Sequence, residues 1–158
     1  MDRYQKLMIA HGLLVTFVAM LAGFMLIFKL VGGLEVWPGN IVPISVYGTS
    51  EGWVRAHTGG ITNGMLVILF ALALPKLDLS AAVNRFCAWG LIYVAWSFTV
   101  FYWIGNASGN RALTMGDNPM GEASLLSLIG FLPGLPSIFL GPMILYIGAR
   151  AALRAIQA

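Results

Sequence analysis

The chain alternates between four long apolar stretches and shorter polar connections. The hydrocarbon core of a bilayer is about 30 Å thick, and a helix needs about 20 apolar residues to cross it. Candidate spans run over about residues 7–30, 54–74, 83–104 and 124–149. This pattern predicts an all-α fold, a bundle of four transmembrane helices that forms one integral membrane domain over residues 1–158.

The second span contains a short uninterrupted apolar run, Ile61–Leu74. These roughly 14 residues reach about 21 Å as a helix, which is too short to cross a bilayer. The helix crosses only if it starts earlier, and an earlier start brings Arg55, His57 and Asn63 to membrane depth. Polar residues at that depth face a protein interior or a ligand in most membrane proteins. The alternative is a short, tilted helix that leaves Arg55 and His57 among the lipid headgroups.

Charged residues are few, and the cations gather at one side of the predicted bundle. They make up 9% of the chain against 59% hydrophobic residues, and the net charge of +3 comes from no dense basic run, which argues against nucleic-acid binding. Six cations share one side: Arg3, Lys6, Lys76, Arg85, Arg150 and Arg154. The positive-inside rule therefore predicts that both termini are cytoplasmic. The opposite connections, about 32–54 and 105–123, are expected to form turns and caps rather than regular structure.

The last two spans carry patterns that allow alternative interpretations. Span four holds several helix-disturbing residues: Gly130, Pro133, Gly134, Pro136, Gly141 and Pro142. They either shape the wall of a cavity or serve only as packing kinks. Span three has an aromatic face that is expected to meet lipid or another subunit: Trp89, Tyr93, Trp96, Val100 and Trp103. Tyr102 lies in a different sector, so its hydroxyl points into the bundle or anchors the helix at the interface.

Two histidines, His11 and His57, are the candidates for cofactor chemistry. A neutral imidazole in an apolar bundle is a good haem ligand. Gly60 and Gly64 follow His57 at i+3 and i+7, and two glycines on that face would let a porphyrin lie close to the backbone. The alternative is a small-xxx-small face on which another helix packs.

The remaining polar residues suggest partners for a cofactor and exclude several enzyme classes. Arg55 and Arg111 could pair with haem propionates, with lipid headgroups, or with Glu51 and Asp117. The chain contains no zinc-protease, nucleophile-elbow, Walker or dinucleotide motif. No carboxylate falls inside a predicted span, which argues against a proton-driven transporter.

Several ordered polar segments resemble the styrene oxide isomerase family, and the similarity runs through nearly the whole chain. The most specific segment is Glu51–Gly59, which continues to Asn63–Met65. Other matching positions are His11-Gly12, Val31–Gly33, Phe101-Tyr102, Asn106, Ser108, Asn110-Arg111, Leu113-Thr114, Gly116 and Asn118. A generic membrane helix has no reason to repeat the order of polar residues in the first segment.

The resemblance implies an enzyme of the bacterial inner membrane that works as a homotrimer with ferric haem b. The implied reaction is the Meinwald rearrangement of styrene oxide to phenylacetaldehyde, with the iron acting as Lewis acid. By position, His57 would be the axial iron ligand, and Asn63 and Tyr102 would handle the epoxide oxygen. Val94 stands two positions before Trp96, where the family pattern has an acid, which implies an altered substrate scope or rate, or a related branch of the family.

Two other functions are consistent with parts of the pattern. One is a b-type cytochrome for electron transfer, with His11 and His57 both on the iron. The two histidines start from opposite ends of the bundle, which counts against ligation of one iron within a subunit. The other is a small haem-free channel or transporter, which the glycine- and proline-rich fourth span would suit.

Overall fold

Four long helices and one β-hairpin make up the protein in the computed structural model, which describes residues 1–157. The helices are α1 (Arg3–Val31), α2 (Ser50–Ala73), α3 (Ala81–Ala107) and α4 (Leu125–Gln157), and a 3₁₀ turn, Leu74–Lys76, follows α2. The hairpin consists of β1 (Gly33–Trp37) and β2 (Asn40–Pro43). Each helix is long and apolar enough to cross a membrane. The predicted all-α membrane bundle is therefore confirmed.

Helix α2 begins at Ser50, about one turn before the predicted start, because the chain provides a cap there. The Thr49 side chain accepts a hydrogen bond from the Gly52 backbone N–H at 3.1 Å, which satisfies one of the free donors of the first turn. Together with the 3₁₀ turn, the apolar segment spans 27 residues. At about 1.5 Å per residue this length crosses the bilayer core easily, so the helix is not short; the depth of Arg55 and His57 in the membrane stays a prediction. His57 and Asn63 both lie inside the helix.

The first long connection contains regular structure, which corrects the expectation of turns alone. β1 and β2 pair in antiparallel register, with Leu34 opposite Val42. The strands are rich in β-branched and apolar residues, which favour extended backbone. Gly39 has φ +79 and closes the turn between them. The second connection, 105–123, has one isolated bridge in addition to its turns.

The bundle has two recognisable ends. At one end, buried Gln5 of α1 donates its side-chain amide to the Ala71 carbonyl of α2 at 3.0 Å. Gly148 of α4 approaches Phe70 there, so the start of α1 and the last turns of α4 lie at the same end. At the opposite end, Trp53 packs on Trp103 with ring centroids 5.1 Å apart. Both termini thus share a side; its assignment to the cytoplasm stays a prediction.

The aromatic face predicted for α3 does not form one lipid-facing stripe. Trp89 and Tyr93 are exposed, at 51% and 41%. Trp96 is half-buried and donates to His11, and half-buried Trp103 packs on Trp53. The expectation was wrong for these two tryptophans because α1 and α2 cover that side of α3.

Candidate functional site on helix α2

His57 is held against α1 by a hydrogen bond and by a glycine. Its Nδ1 lies 2.9 Å from the carbonyl oxygen of Ala19. A carbonyl oxygen only accepts, so Nδ1 carries the proton and Nε2 keeps its lone pair. A Cβ at Gly23 would lie 2.8 Å from Nδ1, so the missing side chain makes room for the ring. This arrangement fixes the orientation and tautomer that a metal-binding histidine needs.

Gly60 and Gly64 pack against α1 and do not form a bare platform. A Cβ at Gly60 would lie 2.7 Å from the Cβ of Ala19, and one at Gly64 would lie 2.6 Å from the Gly12 carbonyl oxygen. Both glycines are buried within the protomer. Within the protomer α1 occupies the space beside both glycines, and the cofactor-binding role predicted for them stays a prediction. They form the small-residue packing face that was the alternative.

His11 is engaged with α3 and lies far from His57. The indole N–H of Trp96 donates to Nδ1 of His11 at 3.0 Å, so the neutral imidazole carries its proton on Nε2. His57 packs at the level of Ala19, eight residues further along α1, which corresponds to about 12 Å. The two histidines cannot ligate one iron within a protomer.

A different face of α2 carries Gly59 and Asn63. Tyr102 of α3 contacts this face at Gly59. A Cβ at Gly59 would lie 2.7 Å from the Tyr102 ring and 3.0 Å from its hydroxyl oxygen. Asn63 is one turn further along this face, and its Nδ2 is buried without a hydrogen-bond partner among residues 1–157. A phenol and an unused amide donor therefore lie on the same side of the helix.

The residues predicted for one site thus fall into two groups. His57 and Asn63 are six residues apart, which separates them by about 120° around α2 and about 9 Å along it. His57 faces α1, whereas the face of Asn63 meets α3 at Tyr102. A large group that touches both must therefore extend around α2 or reach it from outside the protomer.

Arg55 and Arg111 both border the Tyr102 side. They line a small cavity of about 10 Å³ whose wall also includes Tyr102, Phe101 and Gly52. Arg55 is exposed and Arg111 is half-buried. Asp117 accepts a hydrogen bond from the Ala123 backbone N–H at 2.7 Å; its pairing with Arg111 stays a prediction.

Asn106 positions the start of α2. Its Oδ1 accepts a hydrogen bond from the Thr49 backbone N–H at 2.9 Å, and its Nδ2 donates to the Thr49 carbonyl at 3.3 Å. The side chain lies directly over Gly52, where a Cβ would overlap it. Residues of the 106–118 segment therefore have structural roles that the sequence alone does not separate from catalytic ones.

Asn110 organises the connection that presents Arg111. It is fully buried, accepts a hydrogen bond from the Ala112 backbone N–H, and donates to the carbonyls of Thr114 and Gly116. Arg111 itself has φ +61, a left-handed conformation that is unfavourable for arginine. The Asn110 network compensates for this strain and aims the guanidinium toward the Tyr102 side.

Val94 lies in the contact between α3 and α4. It is 6% exposed, and its Cγ1 is 3.7 Å from the position of a Cβ at Gly141. Val94, where the resemblance implies an acid, therefore takes part in helix packing in this protein.

Comparison with known proteins identifies the family. The sequence model of the styrene oxide isomerase family matches residues 4–153. A styrene-oxide isomerase from Pseudomonas fluorescens is 38% identical over 130 residues, which cover 82% of this chain and 77% of that protein. The match includes α2 and α3, which carry His57, Asn63 and Tyr102. The chain therefore belongs to the styrene oxide isomerase family and is a membrane-spanning isomerase.

Proposed function

We propose that the protein converts aryl epoxides such as styrene oxide to aldehydes such as phenylacetaldehyde, by the Meinwald rearrangement, with bound ferric haem b. The observation that carries the haem assignment is the bond from His57 to the Ala19 carbonyl, which leaves the Nε2 lone pair free for iron. Neutral imidazole with its other nitrogen bound to a carbonyl is a recurrent ligand arrangement. The donor chemistry of this chain fits haem through His57.

When bound, ferric haem supplies a Lewis acid that polarises the epoxide oxygen. Tyr102 and Asn63 supply hydrogen-bond donors on the other face of α2. The Tyr102 hydroxyl donates to the oxygen as negative charge develops on it, and the unpartnered Asn63 Nδ2–H orients it. The bond from oxygen to the aryl-bearing carbon breaks because the ring delocalises the positive charge.

The rearrangement then moves a hydride from the neighbouring carbon to the aryl-bearing carbon, and the carbonyl forms. No atom enters or leaves the substrate. Water would trap the cationic carbon as a diol, so the site must be dry. Two rings shield one side of Tyr102 from water: Phe98 stacks on it with centroids 6.0 Å apart, and Phe101 lies at 5.5 Å.

We further propose that the protein works as a homotrimer in the bacterial inner membrane. In its most apolar window, 17% of α1 is buried within the protomer, so this helix offers a large apolar surface to lipid and to neighbouring copies. The separation of His57 from Tyr102 and Asn63 supports a site completed by a second copy. Arg55 and Arg111 are then candidate partners for the haem propionates.

The test is the absorbance spectrum and the product of purified protein. His57→Ala is expected to lose the Soret band and the conversion of styrene oxide together, because it removes the iron ligand. His11→Gln is the matched control, since His11 already accepts from Trp96, and it should keep the Soret band. Full haem content and activity in His57→Ala would show that the ligand assignment is wrong.

A further inference from the structure

A half-open apolar groove lies between α3 and α4. Its volume is about 100 Å³, and every side chain that lines it is apolar. The floor includes Phe98 and Phe101 of α3 and Phe131 of α4. The rim includes Leu135 and Ile138, which are 39% and 53% exposed on the outer surface of the protomer. The groove is therefore accessible to a molecule dissolved in the bilayer.

Gly134 makes the groove possible. It is buried, yet apart from its chain neighbours and the adjacent turns of its own helix backbone, no atom of the described residues lies within 4 Å of the position that its Cβ would take. Glycine inside a helix destabilises it by about 0.5–1 kcal/mol relative to alanine. Since the space beside Gly134 would accept an alanine side chain, close packing does not explain the glycine. The two nearby prolines, Pro133 and Pro136, stay inside a continuous α4. The fourth span thus shapes a cavity wall here.

Two aromatic rings, Phe98 and Phe101, lie between the groove and Tyr102. Phe101 lines the groove. It also lines the small cavity whose wall includes Tyr102, Arg55 and Arg111. Phe98, on the groove floor, stacks on Tyr102 with an interplanar angle of 21°. A rotation of the Phe101 side chain would join the two spaces.

We propose that this groove binds the aryl ring of a neutral, lipid-dissolved epoxide and is the lateral entry to Tyr102, with Phe101 as the movable wall. The inference rests on the proposed function. An enclosed apolar cavity of about 150 Å³ takes up benzene, so a groove of this size that also opens to lipid accepts most of a phenyl ring. Its aromatic floor favours edge-to-face contact with that ring.

Gly134→Leu tests the proposal, because the new side chain fills the groove without meeting another residue at Cβ. We expect KM for styrene oxide to rise about tenfold or more, with kcat and the haem spectrum little changed. Leu132→Phe is the matched control: it adds bulk to the same helix at a position that is 51% exposed, and its KM should match the unsubstituted protein. An unchanged KM in Gly134→Leu would overturn the proposal.

A binding measurement separates the groove from the chemistry. 4-Fluorostyrene has the aryl ring but no epoxide oxygen, and its ¹⁹F line width in nanodiscs reports binding whether or not isomerisation occurs. Saturable broadening that Gly134→Leu abolishes supports the groove, and equal broadening in both proteins contradicts it. If the broadening is lost as expected but no protein isomerises styrene oxide, the proposed function fails while the aryl site stands.

Discussion

At the scale of single residues, Asn63 keeps a buried amide donor that has no hydrogen-bond partner in the part of the chain that the structure describes. Leaving such a group unsatisfied destabilises a folded protein by about 1–3 kcal/mol. Packing alone gives no reason to retain it, because leucine has nearly the same size and no polar atoms. The unused donor is consistent with the proposed role of Asn63, in which a bound molecule accepts this hydrogen bond.

We predict that Asn63→Leu separates stability from activity. The free energy of unfolding should stay equal or rise by about 1 kcal/mol, since the unsatisfied donor is removed. The kcat for styrene oxide should fall about 10²-fold or more, the usual effect of losing one donor to a developing oxyanion. Thermal unfolding and initial rates in the same detergent measure both quantities. A variant that loses stability and keeps its rate would contradict the role of Asn63.

At the scale of elements, α2 packs against α1 with one face and against α3 with another, and the two faces share no residue. His57, Gly60 and Gly64 meet α1, and Gly59 and Asn63 lie on the face that meets α3 at Tyr102. One helix therefore joins the histidine environment to the tyrosine environment. Its register is set at Thr49 by the cap and by Asn106.

We predict that Gly64→Ala destabilises the protein independently of any cofactor. The new methyl group would meet Thr16 and the Gly12 carbonyl, so α1 and α2 must move apart, a strain of about 1–3 kcal/mol. Gly141→Ala is the control, because its Cβ would make only an ordinary contact of 3.7 Å with Val94. Thermal unfolding in a His57→Ala background removes the contribution of haem. Equal melting temperatures for the two variants would revive the porphyrin-platform interpretation.

At the scale of the whole molecule, the termini and the turn after α2 lie at one end, and the hairpin lies at the other. Gln5 and Ala71 join α1 to α2 at the first end, and Trp53 and Trp103 pack at the second. The distribution of lysine and arginine predicts that the first end is cytoplasmic. The surface of each end is then reachable by a polar reagent from one side of the membrane only.

Cysteine labelling tests this orientation. In a Cys87→Ala background, which removes a fully buried thiol, Met115→Cys should react with a membrane-impermeant maleimide in intact spheroplasts. Ser80→Cys, in the connection after α2, should react only after the membrane is permeabilised. The reverse pattern would place both termini outside the cytoplasm.

The sequence was sufficient for the parts of the fold that follow from local pattern. Runs of apolar residues predict the four spans. The apolar run of the second span is too short to cross a bilayer, which predicts that α2 starts earlier, among polar residues. The hairpin escaped prediction because Pro38 and Gly39 read equally well as an irregular loop. The site was predictable as a set of residues but not as an arrangement. Which helix covers Gly60, and which indole binds His11, depend on contacts between residues far apart in sequence.

The contacts of His57 with Ala19 and Gly23 bear on the order in which the protein matures. All three residues precede α3 in the chain, so they are synthesised before it. At about 5–20 residues per second, the roughly 45 residues from His57 to Tyr102 take about 2–9 s to synthesise. In that interval α1 and α2 can pair in the membrane and orient the imidazole. The contacts that orient the proposed haem ligand thus lie within the first half of the chain, and they are synthesised before Tyr102, the residue proposed to handle the substrate.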